Sequence, residues 1–179
     1  MLRQHRTIKA ADPCVGSGHA AAPHAQLHFT TRVKNIITQT IRMMILFYRP
    51  CCAFAEFEVL FPNHANQSAD DVSTVCVPDL AVICNPNKLR EQYCFGAPTV
   101  VMEILFPSTV KADRLVKLNR YQQASVPEYR IVSPQEQNAT VFVLENGLYR
   151  TVAVYTKENT AVKVFTLTGC ELDLTRVFE

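Results

Sequence analysis

Two acidic residues of this 179-residue chain lie in apolar runs, where a carboxylate is costly. Asp79 follows a proline in VCVPDLAVICNPNKL, and Glu103 lies inside PTVVMEILFPST. An unpaired buried carboxylate is strongly disfavoured, and two neighbouring carboxylates also repel each other. A divalent cation between them removes both penalties, because hard cations such as Mg²⁺ take carboxylate, carbonyl and water oxygens as ligands. The two acids therefore suggest one metal site.

A third residue for this site comes from the helix predicted after Glu103. Asp113, Lys117 and Tyr121 follow at steps of four and hence share one helix face. If that face looks toward the acids, the Lys117 ammonium can position a metal-activated water and offset developing negative charge. This is the chemistry of phosphodiester hydrolysis.

Each of these residues also has an ordinary structural interpretation. Asp113 and Lys117 form an i,i+4 acid–base pair of the kind found on solvated helices, which contributes only ~0.2–0.5 kcal/mol. Asp79 after its proline can cap a turn or strand. Glu103 is harder to explain in this way, because its neighbours on both sides are apolar. Spacing alone leaves both interpretations open.

The elements that would position these residues can be read from apolar periodicity. Steps of three and four predict a helix over residues 30–47, ended by Pro50, with basic residues but no acid. Residues 53–61 alternate like a strand, and residues 63–73 form a polar connector. His24 and His28 precede the predicted helix, where capping or polar packing explains them better than metal binding.

Two short β-branched runs, residues 79–84 and 100–105, are typical of central strands buried on both faces. The segment between them is polar and rich in turn residues. Pro107, Ser108 and Thr109 supply the start of a second helix that ends near Ala124. Further strands are predicted over residues 128–133, 140–145, 148–156 and 161–167, with a hairpin turn at Asn146-Gly147.

The composition and net charge limit the classes of protein to which this chain can belong. A hydrophobic share of 48% and a charged share of 19% fit one globular domain, expected over residues 24–179 after a flexible leader over residues 1–23. The formal net charge of +2 neither favours nor excludes a nucleic-acid partner. A basic band on the second helix offers contacts to phosphate or simply to solvent, and comprises Lys111, Arg114, Lys117 and Arg120.

The seven cysteines form no CxxC pair, and Cys76 and Cys84 lie in apolar surroundings where a thiol acts as a small hydrophobe. This pattern favours a reduced, intracellular chain. The first 23 residues lack the apolar core of a secretory signal, and the longest apolar run, residues 43–48, is far shorter than the ~20 residues of a membrane span. The sequence therefore predicts a cytoplasmic protein with no membrane partner.

Several motifs, in order, resemble the Uma-two family of restriction-endonuclease-like proteins in the PD-(D/E)xK superfamily. They are VCVPDLAVICNPNKL, CFGAPTVVMEILFPST, the helix face of Asp113, Lys117 and Tyr121, and VPEYRIVSP. The resemblance implies an α/β (α+β) fold, with a mixed central sheet flanked by helices and, here, a β-rich C-terminal extension. It also implies an endonuclease that hydrolyses DNA with Mg²⁺ or Mn²⁺ and can act as a homodimer.

The family's functional residues carry over by position. Asp79 matches the acid of the Pro-Asp element and Glu103 the second acid, so both would be catalytic and would bind the metal together with the backbone carbonyl of Ile104. Leu105 stands where the superfamily motif has its lysine. Lys117, on the following helix, takes that place as the third catalytic residue.

The chain departs from the family pattern at several positions. Its first helix has no glutamate to complete a metal shell, and Gly, Ala and His residues replace an acid-bearing hairpin at the start. Thr99, Phe106, Arg130 and Ser133 also differ from the usual family residues. These departures motivate an alternative function: a catalytically silent nuclease-fold module that binds DNA or protein.

Overall fold

The structure is a computed structural model that describes residues 24–105 and 112–179, and it contains a mixed six-stranded sheet between two layers. The helices are His24–Ile45 (α1), Ala112–Gln123 (α2) and Leu174–Val177 (α3). The strands are Cys52–Ala55 (β1), Glu58–Phe61 (β2), Thr74–Cys76 (β3), Leu80–Ile83 (β4), Tyr93–Phe95 (β5), Val100–Ile104 (β6), Glu128–Ser133 (β7), Asn138–Glu145 (β8), Leu148–Thr156 (β9), Val162–Lys163 (β10) and Glu171–Leu172 (β11). The predicted mixed α/β architecture is confirmed.

The strand order of the main sheet is β1-β4-β6-β7-β8-β9. The pair β6–β7 is parallel, and the other neighbouring pairs are antiparallel. Every residue of β4 and β6 is buried, as expected for strands covered on both faces. The strands predicted to carry or adjoin the two acids are therefore central, as the sequence indicated.

The two faces of the sheet pack against different elements. The α1 residues Val33 and Ile37 pack with Leu80 and Met102 on one face, together with the C-terminal segment around β10, β11 and α3. On the other face, Tyr121 of α2 packs with Ala81, Val101 and Ile131. Because side chains alternate along a strand, Glu103 lies on the same face as Val101 and points to the α2 side.

Three of the predicted boundaries are wrong. The helix α1 begins at His24, so His24 and His28 lie within the helix and do not precede it. Residues 53–61 form two strands in two different sheets, because Glu56 adopts a left-handed φ of 51° and turns the chain between β1 and β2. In residues 161–167 only Val162–Lys163 is a strand, and it pairs with β11.

The polar segments that flank β4 also contain more structure than predicted. Short strands β3 and β5 pair with β2 to form a separate three-stranded sheet in the order β3-β2-β5. The predicted leader over residues 1–23 and the helix-start residues Pro107, Ser108 and Thr109 lie outside the described residues. None of the helices in the described part of the chain is long and apolar enough to cross a membrane.

A disulfide joins Cys51 to Cys84, so the expectation of a fully reduced chain is wrong for this pair. Strands β1 and β4 pair with Cys52 opposite Ile83, and the next pair outward is Cys51 with Cys84. This proximity follows from the strand register, which cysteine spacing alone does not reveal. Cys76 is a buried thiol, as predicted.

A buried ion pair anchors the C-terminal segment to the sheet. Arg130 Nε donates to Glu128 Oε1 at 2.7 Å, and its Nη2 donates to the backbone carbonyl of Lys163. Glu128 Oε2 accepts from the backbone N–H and the hydroxyl of Thr166 at 2.8 and 2.9 Å. Arg130, a departure from the family pattern, therefore lies in a packed polar network that ties β7 to residues 163–166.

This network predicts a large loss of folding stability when the Arg130–Glu128 pair is broken. The substitution Glu128→Gln leaves the Arg130 charge buried without its partner, and we expect it to lower the free energy of unfolding by ~3–5 kcal/mol in urea denaturation. The matched control is Glu145→Gln, which breaks an exposed pair with Arg150 of 2.9 Å; its expected cost is below ~1 kcal/mol. Equal unfolding midpoints for the two variants would contradict the prediction.

Candidate active site

The strand register sets the two predicted acids opposite each other. Strands β4 and β6 pair with Leu80 opposite Met102, and the same register continued by one residue sets Asp79 opposite Glu103. The backbone N–H of Ile104 donates to Asp79 Oδ2 at 2.8 Å, which turns the Asp79 carboxylate along β6. Asp79 therefore directly precedes β4, and Glu103 lies within β6.

The Glu103 carboxylate is held by two side chains of α2. Lys117 Nζ donates to Glu103 Oε2 at 3.1 Å, and the Tyr121 hydroxyl donates to Oε1 at 2.6 Å. Both donors come from the helix face on which the sequence places them, because residues four apart lie side by side. The Glu103 side chain is only 4% exposed, so these two contacts replace most of its hydration.

The surroundings of Glu103 change its proton affinity. Burial raises its pKa from 4.5 to about 7, the positive charge of Lys117 opposes this rise, and the negative charge of Asp79 adds to it. Burial and the Glu103 charge together raise the pKa of Tyr121 well above its ordinary value. Tyr121 therefore stays protonated and acts as a hydrogen-bond donor, while Glu103 lies near the balance between its two forms at neutral pH.

The sequence prediction did not assign Lys34 to the site, yet it contacts Asp79. Its ammonium lies 2.9 Å from Asp79 Oδ1 and 2.6 Å from Glu56 Oε1. Partial burial lowers the pKa of Lys34, but hydrogen bonds and charge interactions with Glu56 and Asp79 more than offset this, and the net pKa is raised. Lys34 is therefore a fixed cation at the site. The only signal in the sequence was a first helix with bases and no acid.

Other residues singled out from the sequence lie elsewhere or are only partly described. Arg120, expected in a basic band, donates to the Thr74 hydroxyl at 3.3 Å and so links α2 to β3. Lys111 and the side chains of Asp113 and Arg114 lie outside the described residues. Within the described part of the chain, Asp79, Glu103 and Lys117 come together, and Tyr121 joins them.

The donor set fits a hard divalent cation. Asp79 and Glu103 offer carboxylate oxygens, and the role of the Ile104 carbonyl stays a prediction. No group of three His, Cys, Asp or Glu side chains suited to a metal occurs within residues 24–105 and 112–179. Two carboxylates with waters or substrate phosphates completing the shell is a common arrangement for Mg²⁺, whereas Zn²⁺ sites usually draw on Cys and His.

The fold is shared with a solved structure. The crystal structure of a "putative nuclease belonging to DUF820" from Anabaena variabilis superposes with a TM-score of 0.66 at 18% sequence identity, covering 88% of this chain and 83% of that chain. No curated protein gives a significant match. The two chains therefore share one fold class, a mixed sheet flanked by helices.

A family model assigns the chain to a family. The model of the family Uma2, described as "Putative restriction endonuclease", matches residues 21–175. The chain belongs to the Uma2 family. The resemblance noted from the motifs around Asp79 and Glu103 is therefore confirmed.

The raised pKa of Glu103 predicts a pH-dependent stability in the presence of a chelator. The folded state binds a proton that the unfolded state releases, so this contribution is complete below pH 4.5 and is lost as the pH rises through about 7. At ~1.4 kcal/mol per pKa unit, the full change is at most ~3 kcal/mol. Glu103→Gln cannot ionise, so its stability relative to the wild type should increase across this range.

Urea unfolding between about pH 5 and pH 8 measures this difference, since linkage makes stability follow the protons bound by each state. The exposed Glu145→Gln variant provides the control, and its offset from the wild type should stay constant with pH. A constant offset for Glu103→Gln as well would show that Glu103 ionises at the same pH in both states.

Proposed function

We propose that this protein is a metal-dependent endonuclease that hydrolyses DNA phosphodiester bonds. Asp79, Glu103 and the Ile104 carbonyl would hold Mg²⁺ or Mn²⁺, and Lys117 would position the attacking water. The observation that carries the proposal is the buried Glu103 carboxylate, opposite Asp79 and in contact with Lys117. Membership of the Uma2 family supports the reaction class.

The bound metal would lower the pKa of a water molecule and neutralise phosphate charge. Lys117 has three N–H donors, so its ammonium can bridge Glu103 and a second oxygen, from the water or from a phosphate. That contact orients the water for in-line attack and stabilises negative charge on the phosphate. The Lys117 role is thus positioning and electrostatic.

Tyr121 is a positioning residue for this chemistry. Its hydroxyl fixes Glu103 Oε1 at 2.6 Å, which leaves Oε2 toward Lys117. Its ring packs against Tyr129 with centroids 5.0 Å apart, so the hydroxyl has little freedom to move. The carboxylate is therefore held in one orientation before a substrate arrives.

The proposed substrate is duplex DNA. One such site occurs within residues 24–105 and 112–179. Cutting both strands calls for two sites, and a homodimer would supply them. A monomer with a single site would nick one strand. Nicking is therefore the first activity to measure.

The test is conversion of supercoiled plasmid to the nicked form with Mg²⁺ or Mn²⁺. We expect the wild type to nick, and Asp79→Asn, Glu103→Gln and Lys117→Met each to be slower by about 100-fold or more, the usual scale for losing a catalytic group. Chelation should stop the reaction. The control Glu145→Gln removes an exposed carboxylate and should nick at the wild-type rate. Wild-type nicking by both Asp79→Asn and Glu103→Gln would contradict the proposal.

One observation favours the second candidate, a silent module that binds DNA or protein. Lys34 pairs with Asp79, and α1 contributes no acid to the site. A silent module predicts DNA binding in gel-shift measurements that is unchanged in Asp79→Asn and Glu103→Gln, with no metal-dependent nicking by the wild type. The two assays together separate the two functions.

A further inference from the structure

The Lys34 ammonium lies between two carboxylates of very different exposure. Asp79 is 20% exposed and Glu56 is 71% exposed, and Lys34 contacts both. Their arrangement is fixed by the backbone, because the N–H of Glu56 donates to the Asp79 carbonyl at 3.3 Å. The Lys34 ammonium can therefore pair with the more buried Asp79, with the exposed Glu56, or with both.

Both oxygens of Asp79 are engaged in this arrangement. The Ile104 N–H takes Oδ2, and Lys34 takes Oδ1 at 2.9 Å. A divalent cation that binds Oδ1 must displace the ammonium, because a second positive charge so close to the first is strongly unfavourable. Glu56 already lies 2.6 Å from Lys34 Nζ, so the ammonium can stay paired after displacement without movement of α1.

We propose that Lys34 is a built-in counter-ion of the metal site that competes with the divalent cation for Asp79. It keeps the Asp79 carboxylate oriented before the metal binds, and it would move fully onto Glu56 when the metal arrives. The Lys34–Glu56 pair thus sets the metal affinity. The inference rests on the proposed function, since it concerns the same cation site.

Two effects of removing Lys34 act in the same direction. The incoming cation no longer has to displace an ammonium, and Asp79 and Glu103 lose a charge that offsets their mutual repulsion. Both effects make metal binding more favourable. Removing Glu56 should weaken metal binding, because Lys34 then loses its alternative partner and holds Asp79 more tightly.

The experiment is Mn²⁺ binding to the full-length protein, measured by the electron paramagnetic resonance signal of free Mn²⁺ and by calorimetry. Lys34→Met and Lys34→Gln should each bind Mn²⁺ about tenfold more tightly than the wild type, a change of ~1.4 kcal/mol. Glu56→Gln should bind it more weakly in the wild-type background. The same change in the Lys34→Met background should have little effect, because exposed Glu56 is screened by salt and acts through Lys34.

The matched control is Arg32→Met, which removes one positive charge from an exposed position two residues earlier on α1. Its Mn²⁺ affinity should stay within about twofold of the wild type, because charges exposed to solvent are well screened. The Lys34→Gln variant keeps a polar end and guards against misfolding of Lys34→Met, with thermal unfolding measured for both. Only an effect specific to Lys34 and dependent on Glu56 fits the inference.

Unchanged or weaker Mn²⁺ binding by both Lys34 variants would overturn the inference, as would an equal gain in Arg32→Met. Failure of the proposed function looks different. If neither the wild type nor a Lys34 variant binds Mn²⁺, or if Asp79→Asn binds it as well as the wild type, the metal site itself is contradicted. Tighter Mn²⁺ binding by both Lys34 variants than by the wild type, with Arg32→Met unchanged, would support the inference most strongly.

Discussion

The contact of Glu103 with Lys117 and Tyr121 is the constraint around which the site is built. A carboxylate in a strand whose five residues are all buried is tolerated only with hydrogen-bond and charge partners. α2 provides both partners, and its packing is set by Tyr121, which contacts Tyr129 at 5.0 Å and Phe61 at 6.1 Å between ring centroids. The position of α2 on the sheet and the ionisation of Glu103 are therefore coupled.

The charge of the second acid, Asp79, is offset by a lysine from the opposite layer. Lys117 reaches Glu103 from α2, and Lys34 reaches Asp79 from α1, which packs on the other face of the sheet. Two lysines thus offset the charges of Asp79 and Glu103, and the exposed Glu56 adds a third carboxylate beside Lys34. A divalent cation would upset that balance, and Glu56 offers Lys34 an alternative partner.

Local pattern predicted the central part of this arrangement. The buried runs around Asp79 and Glu103 became β4 and β6, and residues 128–133 and 148–156 became β7 and β9 with the predicted bounds. The i,i+4 spacing of Lys117 and Tyr121 predicted a shared helix face, and both side chains bind Glu103. These predictions succeeded because each depends on a short stretch of sequence.

The errors and omissions depend on contacts between distant residues or on a single backbone angle. Lys34 and Asp79 are 45 residues apart, and only the packing of α1 brings them together. The Cys51–Cys84 disulfide depends on the register of β1 with β4. The division of residues 53–61 into two strands depends on the positive φ of Glu56, a conformation that non-glycine residues seldom adopt.

The proposed function requires that Asp79 and Glu103 together hold a divalent cation. A crystal structure of the wild-type protein soaked in Mn²⁺ tests it most directly, since the anomalous signal locates the ion. We expect an anomalous peak in contact with both carboxylates and with the Ile104 carbonyl, and Lys34 paired with Glu56 alone. A soaked structure with no peak between Asp79 and Glu103, and with Lys34 still on Asp79, would contradict it.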